Sequence, residues 1–142
     1  MVLSQTAEYA LRAVLFLAGP ASGRTASVEE IAGALDIPSS YLSKILQQLQ
    51  RATIVAAWRG RSGGYRLAVA ADRLRLARIL NVFEGDGAQR HCLLGRGPCS
   101  DRTACPAHSA WKETAEQAEQ FFGRTSIADI QGPIEQVRAI TA

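Results

Sequence analysis

Residues 27–67 read SVEEIAGALDIPSSYLSKILQQLQRATIVAAWRGRSGGYRL, and this stretch decides the fold. Ser27-Val28-Glu29-Glu30 is a capping box: the serine caps a helix and the glutamate three residues on reaches back. The helix is short and ends near Leu35. Asp36-Ile37-Pro38 makes a turn, and Ser39 is expected to cap the next helix, with Pro38 just outside it. That next helix runs from Ser40 to about Ala52. Leu42, Ile45, Leu46 and Leu49 form its apolar stripe at i, i+3, i+4 and i+7. The opposite side carries Ser40, Ser43, Lys44, Gln47 and Arg51, side chains that hydrogen-bond base edges and phosphates. A short capped helix, a tight turn and such an amphipathic helix make a helix-turn-helix. An ordinary helical hairpin with a solvated polar face would show the same pattern.

The following residues favour the first reading. Ile54 to Trp58 reads as a strand and Tyr65-Arg66-Leu67 as its partner, with Arg59-Gly60-Arg61-Ser62-Gly63-Gly64 between them. Glycines permit the positive φ of a hairpin tip and a close backbone approach. Arg59 and Arg61 at such a tip suit a narrow, electronegative minor groove. An exposed hairpin with solvated arginines is the alternative, but a hairpin with a basic tip directly after a helix-turn-helix favours the DNA reading. The glycines are no nucleotide fingerprint, because no helix follows them at once.

Upstream, Ser4 begins a helical pattern to about Ala18, with Ala7, Leu11, Val14, Leu15 and Ala18 on one stripe, stopped by Gly19-Pro20. Downstream, Arg73 to Phe83 reads as a helix, and a longer one runs from Pro106 to about Phe122. Its stripe of Trp111, Ala115, Ala118, Phe121 and Phe122 is more apolar surface than a small domain can cover. It is expected to pack against its copy in a second subunit, or against the chain's own first helix. Ser126 to Ile130 reads as a short closing helix and the rest as a tail that frays. The expected organisation is a winged helix-turn-helix over 1–84, a cysteine-rich loop over 85–105, a dimerisation and closing segment over 106–131, and a tail over 132–142. The fold class is mainly α with a small β-hairpin.

Apolar residues make up 47% of the 142, enough for a real core. The formal charge is +3, and all of it lies in residues 1–67, which hold seven Lys/Arg against four Asp/Glu. That bias marks the half that would face phosphates. The sequence shows no basic, apolar leader, and its longest apolar stretch, Ala13 to Pro20, is too short for a bilayer. A cytoplasmic protein with reduced thiols is therefore expected, and an odd number of cysteines argues against a disulfide framework.

Those three cysteines and both histidines fall within residues 91–108. Cys92-x6-Cys99-x5-Cys105 gathers three soft thiolate donors, and His108 follows by one helical turn. Thiolates bind iron–sulfur clusters or zinc. Zinc sites use tighter Cys pairs, and the Gly/Pro-rich spacers here suit something larger than one ion. Free or redox-active thiols are the third option. Neither a paired base for nucleophilic catalysis nor a Cys-x-x-Cys supports an enzyme.

Several segments resemble one family in order along the chain. LSQTAEYALRAV (3–14) is similar to the first helix, and Ile37-Pro38-Ser39-Ser40-Tyr41-Leu42 to the start of the recognition helix, of the IscR/NsrR-type, or Rrf2, winged-helix regulators. Arg59-Gly60-x-x-Gly63-Gly64-Tyr65-x-Leu67 resembles their wing and Thr125-Ser126-Ile127-Ala128-Asp129-Ile130 their closing helix. The resemblance implies a homodimeric regulator of DNA, usually a repressor, that senses redox state, iron or nitric oxide. It adds Ser39 and Tyr41 to the DNA-facing residues. It also implies a [2Fe–2S] or [4Fe–4S] cluster, the former favoured, on Cys92, Cys99 and Cys105. The fourth ligand is His108, as in IscR, or Glu8 of the partner subunit, as in NsrR-like members. The first cysteine spacer is one residue longer than in IscR, and Ser43 replaces an acidic residue.

Overall fold

The computed structural model describes residues 3–85 and 91–138. Ser4 caps α1 (Gln5–Ala18), its hydroxyl accepting from Ala7 N–H at 3.2 Å. Ser27 caps α2 (Val28–Leu35) by accepting from Glu30 N–H at 3.1 Å. The Glu30 carboxylate does reach back to Ser27 N–H, but its main partner is Arg24, at 2.5 Å. Asp36, in the left-handed region at φ 56°, makes the turn into α3 (Ser39–Arg51). Ser39 is not the cap. Pro38 holds that position without a side-chain bond, and Ser39 is already the first helical residue. Proline fixes the φ that leads into a helix, so no hydroxyl is needed to set the direction of entry.

The stripe Leu42, Ile45, Leu46 and Leu49 is fully buried, at 0–1% exposure. Each such side chain contributes roughly 1.5–3 kcal/mol by leaving water. They pack with Ala10, Val14 and Leu17 of α1 and Ile31 and Leu35 of α2. Strand β1 (Val55–Trp58) pairs antiparallel with β2 (Gly64–Leu67), Val55 opposite Leu67 and Trp58 opposite Gly64.

Helix α4 (Leu76–Glu84) starts three residues later than the periodicity suggests. Residues 74–76 are drawn instead into pairing with the chain's far end, while Arg73 stays in a turn on Ala70. Leu76 N–H donates to Thr125 carbonyl at 3.0 Å, and Ile127 N–H to Leu74 carbonyl at 2.8 Å. Ile127 is thereby placed in the core at 0% exposure. The long helix α5 (His108–Arg124) lies along α4, not along α1. Its apolar stripe divides: Ala115 is buried and Phe122 packs on the core, while Phe121 is 53% exposed. The closing segment is a 3₁₀ turn, Ala128–Ile130, rather than an α-helix. The tail expected to fray contains a further turn, α6 (Ile134–Val137), whose Ile134 and Val137 rest on the core beside α1.

Candidate DNA interface and cysteine site

The polar side of α3 faces outward. Ser39, Ser40, Lys44, Gln47 and Arg51 are exposed, and Ser43 is half-buried. Tyr41 differs from these. Its hydroxyl is hydrogen-bonded to Thr6 and its ring stands edge-on to Tyr9, centroids 5.6 Å apart. Tyr41 thus anchors the start of α3 to α1, although 37% of it remains exposed.

At the wing tip Arg59 and Arg61 are exposed. The hairpin is fastened to the body by two reciprocal backbone bonds between Tyr65 and Ala26, each 2.8 Å, and by Thr25 Oγ1 donating to Ser62 carbonyl at 2.5 Å. Gly64 permits that contact: at φ 146° a Cβ would lie 2.4 Å from the Ala26 oxygen. Sequence reasoning missed Trp58 and Arg66. The Arg66 guanidinium sits 3.8 Å over the exposed Trp58 ring. The available signal was strand register: residues two apart across a hairpin share a face and meet diagonally.

The cysteine loop is described from His91 onward. Cys92 N–H donates to Gly97 carbonyl at 2.8 Å and Gly95 N–H to Cys92 carbonyl at 2.9 Å, closing a tight turn. Backbone N–H groups of Arg96 and Leu94 then point at the Cys92 sulfur, and with a hydrogen bond from Cys105 and the Arg96 charge they lower its thiol pKa. Trp111 Nε1 donates to His91 carbonyl at 2.7 Å, tying the loop's beginning to α5. The His91 side chain is exposed.

His108 opens α5 one turn after Cys105, to whose carbonyl its N–H donates at 2.9 Å. Its Nδ1 lies 3.3 Å from Cys99 Sγ and its Nε2 lies 2.8 Å from Asp101 Oδ1. Lys112 Nζ reaches the same oxygen at 3.3 Å. The His108 bond first, then Lys112, hold the Asp101 carboxyl below its usual range. A pocket of about 140 Å³ opens here, lined by Cys99, Asp101, His108, Lys112 and Glu116. The four candidate ligands therefore stand as two pairs, Cys92 with Cys105 and Cys99 with His108. Among the described residues no three His, Cys, Asp or Glu side chains converge closely enough for a single ion. The three thiols are free of disulfides. Glu8 pairs with Arg12 at 3.7 Å and borders a groove with Ile130 and Val137, so in its own chain it is not part of the cysteine pocket. Asp101, with its role in this array, was invisible in sequence because it depends on how the 3₁₀ turn Asp101–Thr103 folds back on α5.

A winged helix followed by such a loop and long helix has relatives. The family model of Rrf2, described as iron-dependent transcriptional regulators, matches residues 3–133. The chain belongs to the Rrf2 family. A protein of Aquifex aeolicus described as a putative HTH-type transcriptional regulator is 33% identical over 132 residues, covering 92% of this chain and 91% of that protein. IscR of Vibrio campbellii is 25% identical over 130 residues, 92% of this chain and 77% of IscR. Among solved structures, CymR, the global cysteine regulator of B. subtilis, superposes with a TM-score of 0.78 at 23% identity, covering 92% and 95% of the two chains. T. potens IscR gives 0.73 at 22%, covering 92% and 85%. These likenesses bear out the mainly helical winged fold. This Rrf2 chain is a DNA-binding transcriptional regulator and not an enzyme. Among the described residues, no helix is long and apolar enough to cross a membrane.

Proposed function

We propose that this Rrf2 protein is a cytoplasmic homodimeric repressor whose hold on DNA is set by an iron–sulfur cluster on Cys92, Cys99, Cys105 and His108. The observation that carries the reading is the pairing of the four donors, Cys92 with Cys105 and Cys99 with His108. A [2Fe–2S] cluster takes two protein donors on each iron, so two pairs suit it, and three soft thiols with one imidazole suit iron–sulfur chemistry. The pairing supports [2Fe–2S] over [4Fe–4S]. When bound, such a cluster supplies a redox-active centre that oxidants, iron shortage or nitric oxide can alter. His108 is favoured over the partner subunit's Glu8 because it already stands against a thiol, and an imidazole suits a soft site better than a carboxylate oxygen.

Ser39, Ser40, Ser43, Lys44, Gln47 and Arg51 would enter the major groove, and Arg59 and Arg61 the adjacent minor groove. Tyr41 keeps α3 at its angle. The 53% exposed Phe121, with Ala118 beside it on α5, supports a second copy of α5 as its cover. The ligand set and the dimer meet on one element, since His108 begins the same helix.

Anaerobic purification with an absorbance spectrum and iron and sulfide analysis tests the reading. Wild type should be coloured, and Cys92→Ala, Cys99→Ala and Cys105→Ala colourless. Full colour in all three variants would overturn it. A second reading is a thiol-based or zinc-stabilised regulator without a cluster; two separate pairs that fall short of a single-ion site favour its thiol-based form. Wild-type protein that is colourless after anaerobic reconstitution would favour it.

A further inference from the structure

We propose that Asp101 is a positioning residue for the cysteine site: it fixes the His108 ring so that Nδ1, not Nε2, is the nitrogen presented to the thiols. The inference rests on the cluster reading above for its purpose, but its geometry stands without it. An ionised carboxylate only accepts hydrogen bonds. Asp101 Oδ1 lies 2.8 Å from His108 Nε2, so Nε2 must carry the proton. A neutral imidazole protonated at Nε2 has its lone pair on Nδ1. That nitrogen faces Cys99 Sγ at 3.3 Å, and the thiol donates to it. From Cys99 through His108 to Asp101, each group therefore donates to the next without a break.

Two further features keep the carboxylate in place. Lys112, one turn along α5 from His108, bonds the same oxygen at 3.3 Å, so it follows the helix that carries the histidine. Asp101 also sits in the 3₁₀ turn that begins two residues after Cys99 and ends two before Cys105. The His108 side chain is only 14% exposed while that of Asp101 is 78% exposed. The ring is enclosed and its orienting group is outside, so replacing Asp101 does not open the core. A carboxylate behind a ligating histidine is the usual way of fixing tautomer and ring orientation.

The test uses the full chain with Asp101→Ala and Asp101→Asn. In cluster-free protein at pH 8, above the ordinary histidine range, long-range ¹H–¹⁵N correlations report the His108 tautomer. Wild type should be protonated at Nε2. Asp101→Asn keeps an acceptor oxygen and should stay so, whereas in Asp101→Ala, where only the Cys99 thiol still favours a lone pair on Nδ1, the Nε2-protonated share should fall. An unchanged tautomer in Asp101→Ala overturns the proposal. In anaerobically reconstituted protein, Asp101→Ala should hold iron about tenfold less tightly and show a shifted visible spectrum, with Asp101→Asn close to wild type. With wild type coloured, equal retention and identical spectra in all three would also overturn it. Loss of the cluster reading itself would show separately, as a colourless wild type or as colour retained in the cysteine variants, and would leave the tautomer result untouched.

Discussion

Replacing Gly64 by alanine tests how the wing is held. At φ 146° the new Cβ would meet the Ala26 oxygen at 2.4 Å and its carbonyl carbon at 2.6 Å, both backbone atoms that cannot swing aside. The strand must retreat, and with it go the two 2.8 Å bonds between Tyr65 and Ala26. Each bond is worth about 1 kcal/mol net, and an alanine kept at that φ adds roughly 1–3 kcal/mol of strain. Gly64→Ala should therefore destabilise by about 3 kcal/mol or more, which for a chain of this size lowers Tm by roughly 10 °C. It should also weaken operator binding, because Arg59 and Arg61 lose their fixed tip. Gly33 supplies the opposite sign in the same experiment. It lies exposed inside α2, and an added methyl there would have nothing within 4 Å, so Gly33→Ala should stabilise by about 0.5–1 kcal/mol. Urea unfolding measures both, and fluorescence anisotropy on labelled operator measures the binding. If Gly64→Ala unfolds within about 0.5 kcal/mol of wild type and binds DNA equally, the close approach of wing to body is not what holds the hairpin.

Arg59→Ala should cost about 1–3 kcal/mol of operator affinity, as for a specific base contact; equal gel shifts would remove the wing from recognition. Phe121→Asp should give folded monomers by sedimentation, whereas Ala115→Asp, a charge placed at a buried position of α5 beside the cysteine pocket, should destabilise the chain. A dimeric Phe121→Asp protein would put the interface elsewhere. Asp129 accepts from Ser126 N–H and is also bonded by its hydroxyl, which together depress its pKa. A depressed folded-state pKa gives stability that is present above the unfolded value, near 3.9, and is lost as pH falls through the folded one. Asp129→Ala should thus be less stable than wild type at pH 7, and the gap in urea midpoints should narrow below about pH 4; a constant gap would refute the linkage.

The helix-turn-helix was readable because local chemistry and burial agree there. Ser27 is a cap in sequence and in space, and the period of Leu42, Ile45, Leu46 and Leu49 is the period of the buried face. Reading failed where a residue's role is set by a distant segment. Arg73 to Arg75 carry a helical pattern, yet Arg73 turns back on Ala70, and the return of Thr125 to Ile127 takes the Leu74 carbonyl and lies opposite Arg75. The stripe of α5 looks single in sequence, but Ala115 is buried and Phe122 packs on the core while Phe121 stays exposed. Asp101 and Arg66 drew no reading as site residues, since nothing in their neighbours announces His108 or Trp58 as a partner. The three cysteines were legible as candidate donors from spacing, whereas their division into pairs needed the fold of the loop.

The burial of Ile127 has a mechanical consequence. Helix α5 spans 17 residues, a rod of about 25 Å at 1.5 Å per residue. Its far end is pinned to the body by Ile127 and by Arg75, which donates to Arg124 carbonyl at 2.9 Å. Its near end carries His108. The rod is thus a lever with its pivot at the winged domain and its handle in the cysteine loop. A displacement of about 1 Å at the handle turns it by about 2° over that length, a rotation delivered to the segment that pairs with residues 74–76, just ahead of α4.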